Sequence, residues 1–248
     1  MKITGEYTID DNNIVVFPTV PSTDDTVYDI EKNFIKELKV MGFLEFVRLS
    51  HILKITKPVA PVLDIGCGYG HYGYSLYTNR YGVDYVGINI NYKQLLRAVS
   101  RKWGNSRRTF IYKDATKGLP FEDRSFETIL LVQVIEHLGY ENARALLEEC
   151  YRVLNDGTLV ITTENNQFTT HGGLEFHEHE FKYDELKDLI LSCGFDIQNE
   201  YGLLYAYNIK TIEDGPEKSF LQSRQLKMIY GISRPKKSKY IVFDLKRR

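Results

Sequence analysis

Val62-Leu63-Asp64-Ile65-Gly66-Cys67-Gly68-Tyr69-Gly70 is the stretch that decides the fold. A short apolar run ends in an acid, and glycine then recurs at every second position ahead of a segment able to become helical. The pattern predicts a buried strand, a tight loop and the exposed N–H groups of a helix, an arrangement suited to a nucleotide-like ligand. Glycines in such a loop permit positive φ and let a ligand lie against the main chain. By its letters, Gly68-Tyr69-Gly70-His71-Tyr72-Gly73 also fits the dinucleotide fingerprint G-x-G-x-x-G. Asp64 argues against that fit, because a carboxylate at the strand tip repels a pyrophosphate and attracts a cation or an ammonium group.

Downstream, apolar runs and amphipathic segments alternate. Asp84-Tyr85-Val86-Gly87-Ile88-Asn89-Ile90 reads as the next buried strand, and Asn91 to Arg101 as a helix with Leu95, Leu96 and Val99 on its apolar face. Phe110-Ile111-Tyr112-Lys113-Asp114-Ala115 is a strand ending in an acid, although an Asp there also favours capping the following turn. The nearly all-apolar Thr128 to Val132 suits a parallel strand covered on both faces, and it opens into Gln133-Val134-Ile135-Glu136-His137-Leu138. A helix follows with Ala143, Leu146, Leu147, Cys150, Val153 and Leu154 inward. Asn155-Asp156-Gly157 is expected to end it, and Thr158 to Thr163 to form the fifth strand. From Glu164 to Glu180 the period is lost and histidines gather: His171, His177 and His179. A helix over 184–193 with Gly194 after it, and late strands around Leu203–Tyr207 and Tyr240–Leu245, complete the reading. Upstream, two short strands, Ile3 to Ile9 and Ile14 to Phe17, flank Asp10-Asp11-Asn12-Asn13 as an appendage outside the core, and 26–56 shows helical spacing.

Asp64 with its glycine loop resembles motif I of the class I S-adenosylmethionine-dependent methyltransferases. Asp114 and the Glu136-His137-Leu138 element resemble one large subgroup of them, over about residues 58–200. S-adenosylmethionine carries a sulfonium and an α-ammonium and no phosphate, which agrees with Asp64. The resemblance implies an α/β fold: a doubly wound, mostly parallel, seven-stranded Rossmann-like sheet with helices on both faces. An N-terminal hairpin and helical cover over 1–57 would precede the domain at 58–248, with an insert near 210–238 shaping the acceptor pocket. It also implies that Asp64, Gly66, Cys67, Gly68, Gly70, Asn89, Ile90, Asp114, Ala115 and Gln133 bind the cofactor. Asp114 and the Ala115 N–H would meet adenine. At Asn89 the family usually carries an acid that holds both ribose hydroxyls, and an amide with one acceptor oxygen holds them less strongly. The missing acid also counts against a dinucleotide oxidoreductase.

Composition narrows the function classes. A chain of 248 residues, 43% hydrophobic with net charge -1, suits one large domain and gives no reason for phosphate-driven affinity, so nucleic acid is the disfavoured acceptor. Without a long apolar stretch or a signal-peptide core, the reading is a cytoplasmic protein with no membrane association. Cys67, Cys150 and Cys193 lack metal or disulfide spacing. The predicted activity is methyl transfer to an oxygen or nitrogen of a small molecule, with His179, then His177, then His137 as candidate bases and no metal assigned. His171 is a fourth candidate. One alternative is a non-catalytic S-adenosylmethionine-binding protein. Another follows from Glu136-His137 and His177-x-His179, which resemble the metal site of small-RNA 3′-end 2′-O-methyltransferases, with Gln133 where that family has a glutamate.

Overall fold

Alternating apolar runs and amphipathic segments build one mixed sheet of nine strands in this computed structural model, which describes residues 2–18, 57–73, 84–101, 103, 107–166, 177–205 and 235–248. The strands are β1 (Thr8–Ile9), β2 (Ile14–Val16), β3 (Val62–Ile65), β4 (Tyr85–Asn89), β5 (Arg108–Tyr112), β6 (Phe126–Val132), β7 (Leu154–Glu164), β8 (Phe195–Tyr205) and β9 (Ser238–Arg247). Their order across the sheet is β1-β2-β5-β4-β3-β6-β7-β9-β8. From β2 to β7 every pairing is parallel, while β9 runs antiparallel to both β7 and β8. After the two hairpin strands the chain starts again at the centre with β3, winds outward through β4 to β5 and returns to β6 on the other side. That reversal opens a crevice at the carboxyl ends of β3 and β6.

Three helices are described: α1 (Tyr92–Ser100), α2 (Tyr140–Val153) and α3 (Tyr183–Ser192). Leu146 and Leu147 of α2 and Leu186 and Leu189 of α3 join one buried cluster with Leu63, Ile129 and Leu131. Leu95 and Ala98 of α1 join the other, with Val62, Trp103, Phe110 and Leu130. Alternate residues of each strand therefore enter opposite cores, and both sheet faces are covered.

Several expectations are corrected. The sheet has nine strands rather than seven, because the N-terminal hairpin is part of it: β2 pairs in parallel with β5, and Ile14 and Val15 are buried. The hairpin strands are shorter than expected, with Ile3 making only a bridge to Phe121. Asp10 organises the turn, its Oδ1 accepting from Ile14 N at 2.8 Å and Asn12 N at 2.9 Å. Asn155-Asp156-Gly157 do not end α2. Leu154 caps it through an N–H to the Cys150 carbonyl, and β7 starts there. A register shift between Phe126 and Thr128 brings the Glu127 carbonyl against Gly157, where an added Cβ would lie 1.7 Å from that oxygen. Gly157 thus serves strand pairing at a bulge rather than helix termination. Gly194, at φ +89°, does follow α3, but β8 begins directly after it at Phe195, eight residues before the expected Leu203. The helical spacing at 26–56, the continuation past Gly73 of the helical segment that follows the glycine loop, and nearly all of the insert near 210–238 lie outside the described residues. All three cysteines are buried and free, and no described helix is long and apolar enough to cross a membrane.

Candidate active site

The loop leaving β3 closes onto β4. Gly66 N and Cys67 N both donate to the Ile88 carbonyl, at 2.8 and 3.0 Å, and Gly70 N turns back to the Cys67 carbonyl at 2.8 Å. Gly66 has φ +69°, and a Cβ there would lie 2.4 Å from Val134 Cγ2, so the close approach of the β3 and β6 loops requires glycine. Between these loops lies a cavity of about 450 Å³ whose walls include Gly66, Asn89, Ile90, Asp114, Ala115, Gln133 and His137. Its size falls within the range of small-ligand sites, about 300–1,000 Å³. A larger cavity, about 540 Å³, lies at the amino ends of the strands beside Pro61 and an Arg107–Asp84 ion pair. The first is the candidate site, because the loops carrying polar groups converge there, at the switch point of the sheet.

Asp64 takes a different position from the other acids. Its carboxylate is 1% exposed and accepts the Tyr85 hydroxyl at 2.6 Å, beneath the loop. Tyr85 in turn packs against Trp103 and Phe110. Burial pushes the Asp64 carboxyl up to about 7, the Tyr85 hydrogen bond only partly opposing it. Asp64 does not line the cavity, so any pull on a ligand cation acts through the loop rather than by contact. Cys67 and Gly70 are buried with it on that side, and burial together with the Asp64 charge raises the Cys67 thiol well above its ordinary range.

Asn89 ends β4 with 7% exposure. Its Nδ2 donates to Gln94 Oε1 at 2.8 Å and to the Asn91 carbonyl at 3.3 Å. Asn91 caps α1, accepting from Gln94 N at 3.0 Å. Asp114 does cap the next turn: Oδ1 accepts from Thr116 N at 2.9 Å and Thr116 Oγ1 at 2.7 Å. Both bonds use one oxygen, leaving Oδ2 as an acceptor at the cavity. Capping and adenine recognition are therefore compatible. Gln133 sits at φ +53°, a left-handed conformation unusual for a residue with a side chain. Its N donates to the Thr162 carbonyl at 2.8 Å and its Nε2 to Thr162 Oγ1 at 3.4 Å, so β7 holds it in place. Strain of this kind is concentrated at functional sites.

The histidines separate. His137 lines the cavity, and its ring meets that of His177 at 4.9 Å between centroids. His177 Nδ1 lies 2.8 Å from Glu180 Oε1. His179 instead bonds Glu185 at the start of α3, at 2.7 Å, packs on Phe181 at 4.4 Å and does not line the cavity. His171 lies outside the described residues. Behind His137, Glu136 is buried, accepts Thr163 Oγ1 at 2.9 Å and is pushed up to about 7 by that burial. Glu136, His137 and His177 present ligand atoms within 4.8 Å of one another, as do Glu164, His177 and Glu180. Sequence reasoning missed Gln94, Lys113 and Glu178 as cavity residues. Glu178 Oε2 accepts Gly139 N at 3.0 Å, an N-terminal contact of α2 that only the fold brings about.

Known proteins resemble this chain in sequence and in fold. The family described as "Methyltransferase domain" matches residues 63–162. A probable S-adenosylmethionine-dependent methyltransferase of Mycobacterium tuberculosis is 26% identical over 185 residues, covering 70% of this chain and 62% of the relative. The tRNA N(3)-methylcytidine methyltransferase Mettl2 of Drosophila melanogaster is 23% identical over 218 residues, covering 83% of this chain and 63% of the relative. The chain thus spans less than two thirds of either protein's length. A crystal structure from Thermotoga maritima, of an S-adenosylmethionine-dependent methyltransferase described as a possible histamine N-methyltransferase, superposes with TM-score 0.65 at 18% identity. The match covers 90% of this chain and 99% of that one.

Proposed function

We propose that this chain, whose methyltransferase domain places it in the class I S-adenosylmethionine-dependent family, methylates an oxygen or nitrogen of a small molecule. The observation that carries the reading is the shared cavity. It brings Asn89, Asp114 and Gln133 together with a histidine, His137, beside the glycine loop. The donor set fits the cofactor: Asn89 Oδ1 and Asp114 Oδ2 are acceptors with no partner among the described residues. When bound, S-adenosylmethionine supplies a methyl group already activated by its positively charged sulfur.

The protein's task is then alignment and proton removal. Asn89 Oδ1 holds a ribose hydroxyl. Asp114 Oδ2 accepts from the adenine amine while Ala115 N–H donates to a ring nitrogen. Gln133, fixed to β7 through Thr162, shapes the wall toward the acceptor. His137 takes the proton from the acceptor hydroxyl or ammonium, and His177, held by Glu180, supports its ring. The near-zero net charge favours a small acceptor over a polyanion. The deciding assay is release of S-adenosylhomocysteine from the purified chain with panels of small hydroxyl and amine compounds and with tRNA. Turnover on tRNA alone overturns the small-molecule reading, and failure to bind any adenosyl compound overturns the whole.

One observation favours a second reading. The buried carboxylate of Glu136 converges with His137 and His177, and a carboxylate with imidazoles is a donor set that holds a divalent cation and acidifies a bound hydroxyl. Calorimetry with Mn²⁺ on the wild type and on Glu136→Gln, and turnover under chelation, test it. Full activity without divalent ions rejects it.

A further inference from the structure

Asn89 and Gln94 meet beside the glycine loop: Asn89 Nδ2 donates to Gln94 Oε1 at 2.8 Å, and a Cβ added at Gly68 would lie 3.7 Å from that same oxygen. The backbone sets which way both amides face. Asn89 Nδ2 also donates to the Asn91 carbonyl at 3.3 Å, and a carbonyl only accepts, so the nitrogen of Asn89 belongs on that side. The oxygen facing it on Gln94 is then Oε1, and Gln94 Nε2 is left as a donor with no partner among the described residues. Gln94 is itself pinned in the first turn of α1, its N–H donating to the Asn91 side chain at 3.0 Å, and it lines the cavity.

A carboxylate at position 89 would present two acceptors and a negative charge. This chain presents one acceptor, Asn89 Oδ1, and one donor, Gln94 Nε2, on a neutral pair. A vicinal diol satisfies that pair only if one hydroxyl donates and the other accepts. We infer that Gln94 is a second ribose-reading residue, and that the two ribose hydroxyls are recognised unequally, one as donor to Asn89 and one as acceptor from Gln94. The inference rests on the cofactor assignment made above.

The test is calorimetric titration of the full chain and of Gln94→Ala and Gln94→Glu with S-adenosylhomocysteine and its 2′-deoxy and 3′-deoxy analogues. Thermal melts confirm that each variant is folded. Glutamate at this position still accepts from Asn89 Nδ2 but has no donor, so it separates reading the ribose from merely propping Asn89. Both variants are expected to bind S-adenosylhomocysteine roughly five- to tenfold more weakly, the loss of one hydrogen bond. Both are also expected to lose the wild type's discrimination against one of the two deoxy analogues while keeping it against the other. Retention of affinity and discrimination by Gln94→Glu, or by both variants, overturns the inference with the cofactor assignment intact. A wild-type chain that binds none of the three ligands overturns the assignment itself.

Discussion

Replacing Asp64 with asparagine should remove part of the protein's dependence on pH. The buried carboxyl titrates at about 7 instead of 3.8, chiefly because burial penalises its charged form. A raised value means that the folded chain holds this proton more tightly than the unfolded chain. Its contribution to stability is therefore complete below 3.8 and is lost as pH rises through about 7. At about 1.4 kcal/mol per pH unit, the ceiling on that loss is about 4 kcal/mol. Asparagine keeps an acceptor for the Tyr85 hydroxyl but buries an amide nitrogen in need of a partner, which takes back about 1–3 kcal/mol. Asp64→Asn should thus be the less stable protein at pH 5 and should gain on the wild type by about 2 kcal/mol or more by pH 8.5. Urea unfolding followed by fluorescence at four pH values between these limits measures the difference. A difference that stays constant with pH would refute the reasoning, since it would mean that the carboxyl titrates alike in both states.

Gly66→Ala adds a methyl 2.4 Å from Val134 Cγ2 on a backbone at φ +69°. It should abolish measurable S-adenosylhomocysteine binding, and Val134→Ala in the same chain should restore stability only in part, because the backbone strain remains. Arg152→Ala removes donors to the Phe121 carbonyl at 2.7 Å and the Leu119 carbonyl at 2.9 Å, together with the ion pair to Glu149. It should cost about 2 kcal/mol in denaturant unfolding without changing ligand affinity. His137→Ala should lower turnover by about 10²-fold or more, whereas His179→Ala, which faces Glu185, should lower it by under tenfold, measured as S-adenosylhomocysteine release. Equal losses in the two variants would reject His137 as the proton acceptor.

Much of the fold was legible because parallel strands buried on both faces read as continuous apolar runs. Val62-Leu63 ahead of Asp64, Tyr85-Val86 with Ile88, and Ile129–Val132 supply such short runs. The spacing of Leu95, Leu96 and Val99 announced α1, and Asp114 announced both a turn and an acceptor. Where the reading failed, long-range pairing had overridden local preference. Asn155-Asp156-Gly157 has the composition of a helix stop, yet the approach of the Glu127 carbonyl, set by strand register, decides its conformation. The short strand β2 gave no sign that Ile14 and Val15 would enter the core, because the partner strand β5 lies almost a hundred residues away in sequence. The site shows the same limit. Residue types at the cavity were readable from the resemblance, but the burial of Asp64 depends on Tyr85, and the role of Gln94 depends on which way one amide faces.

The N-terminal hairpin links shape and solubility. β2 occupies the flank of β5, and only the two-residue β1 lies beyond it, so a long row of backbone donors and acceptors is withheld from other molecules. The hairpin turn is also tied to the first residue of α1, because the Tyr92 hydroxyl bonds both Asp10 and Asn12. A chain trimmed past Phe17 would bare that flank to strand addition and aggregation, and would at the same time slacken the helix on which Gln94 stands.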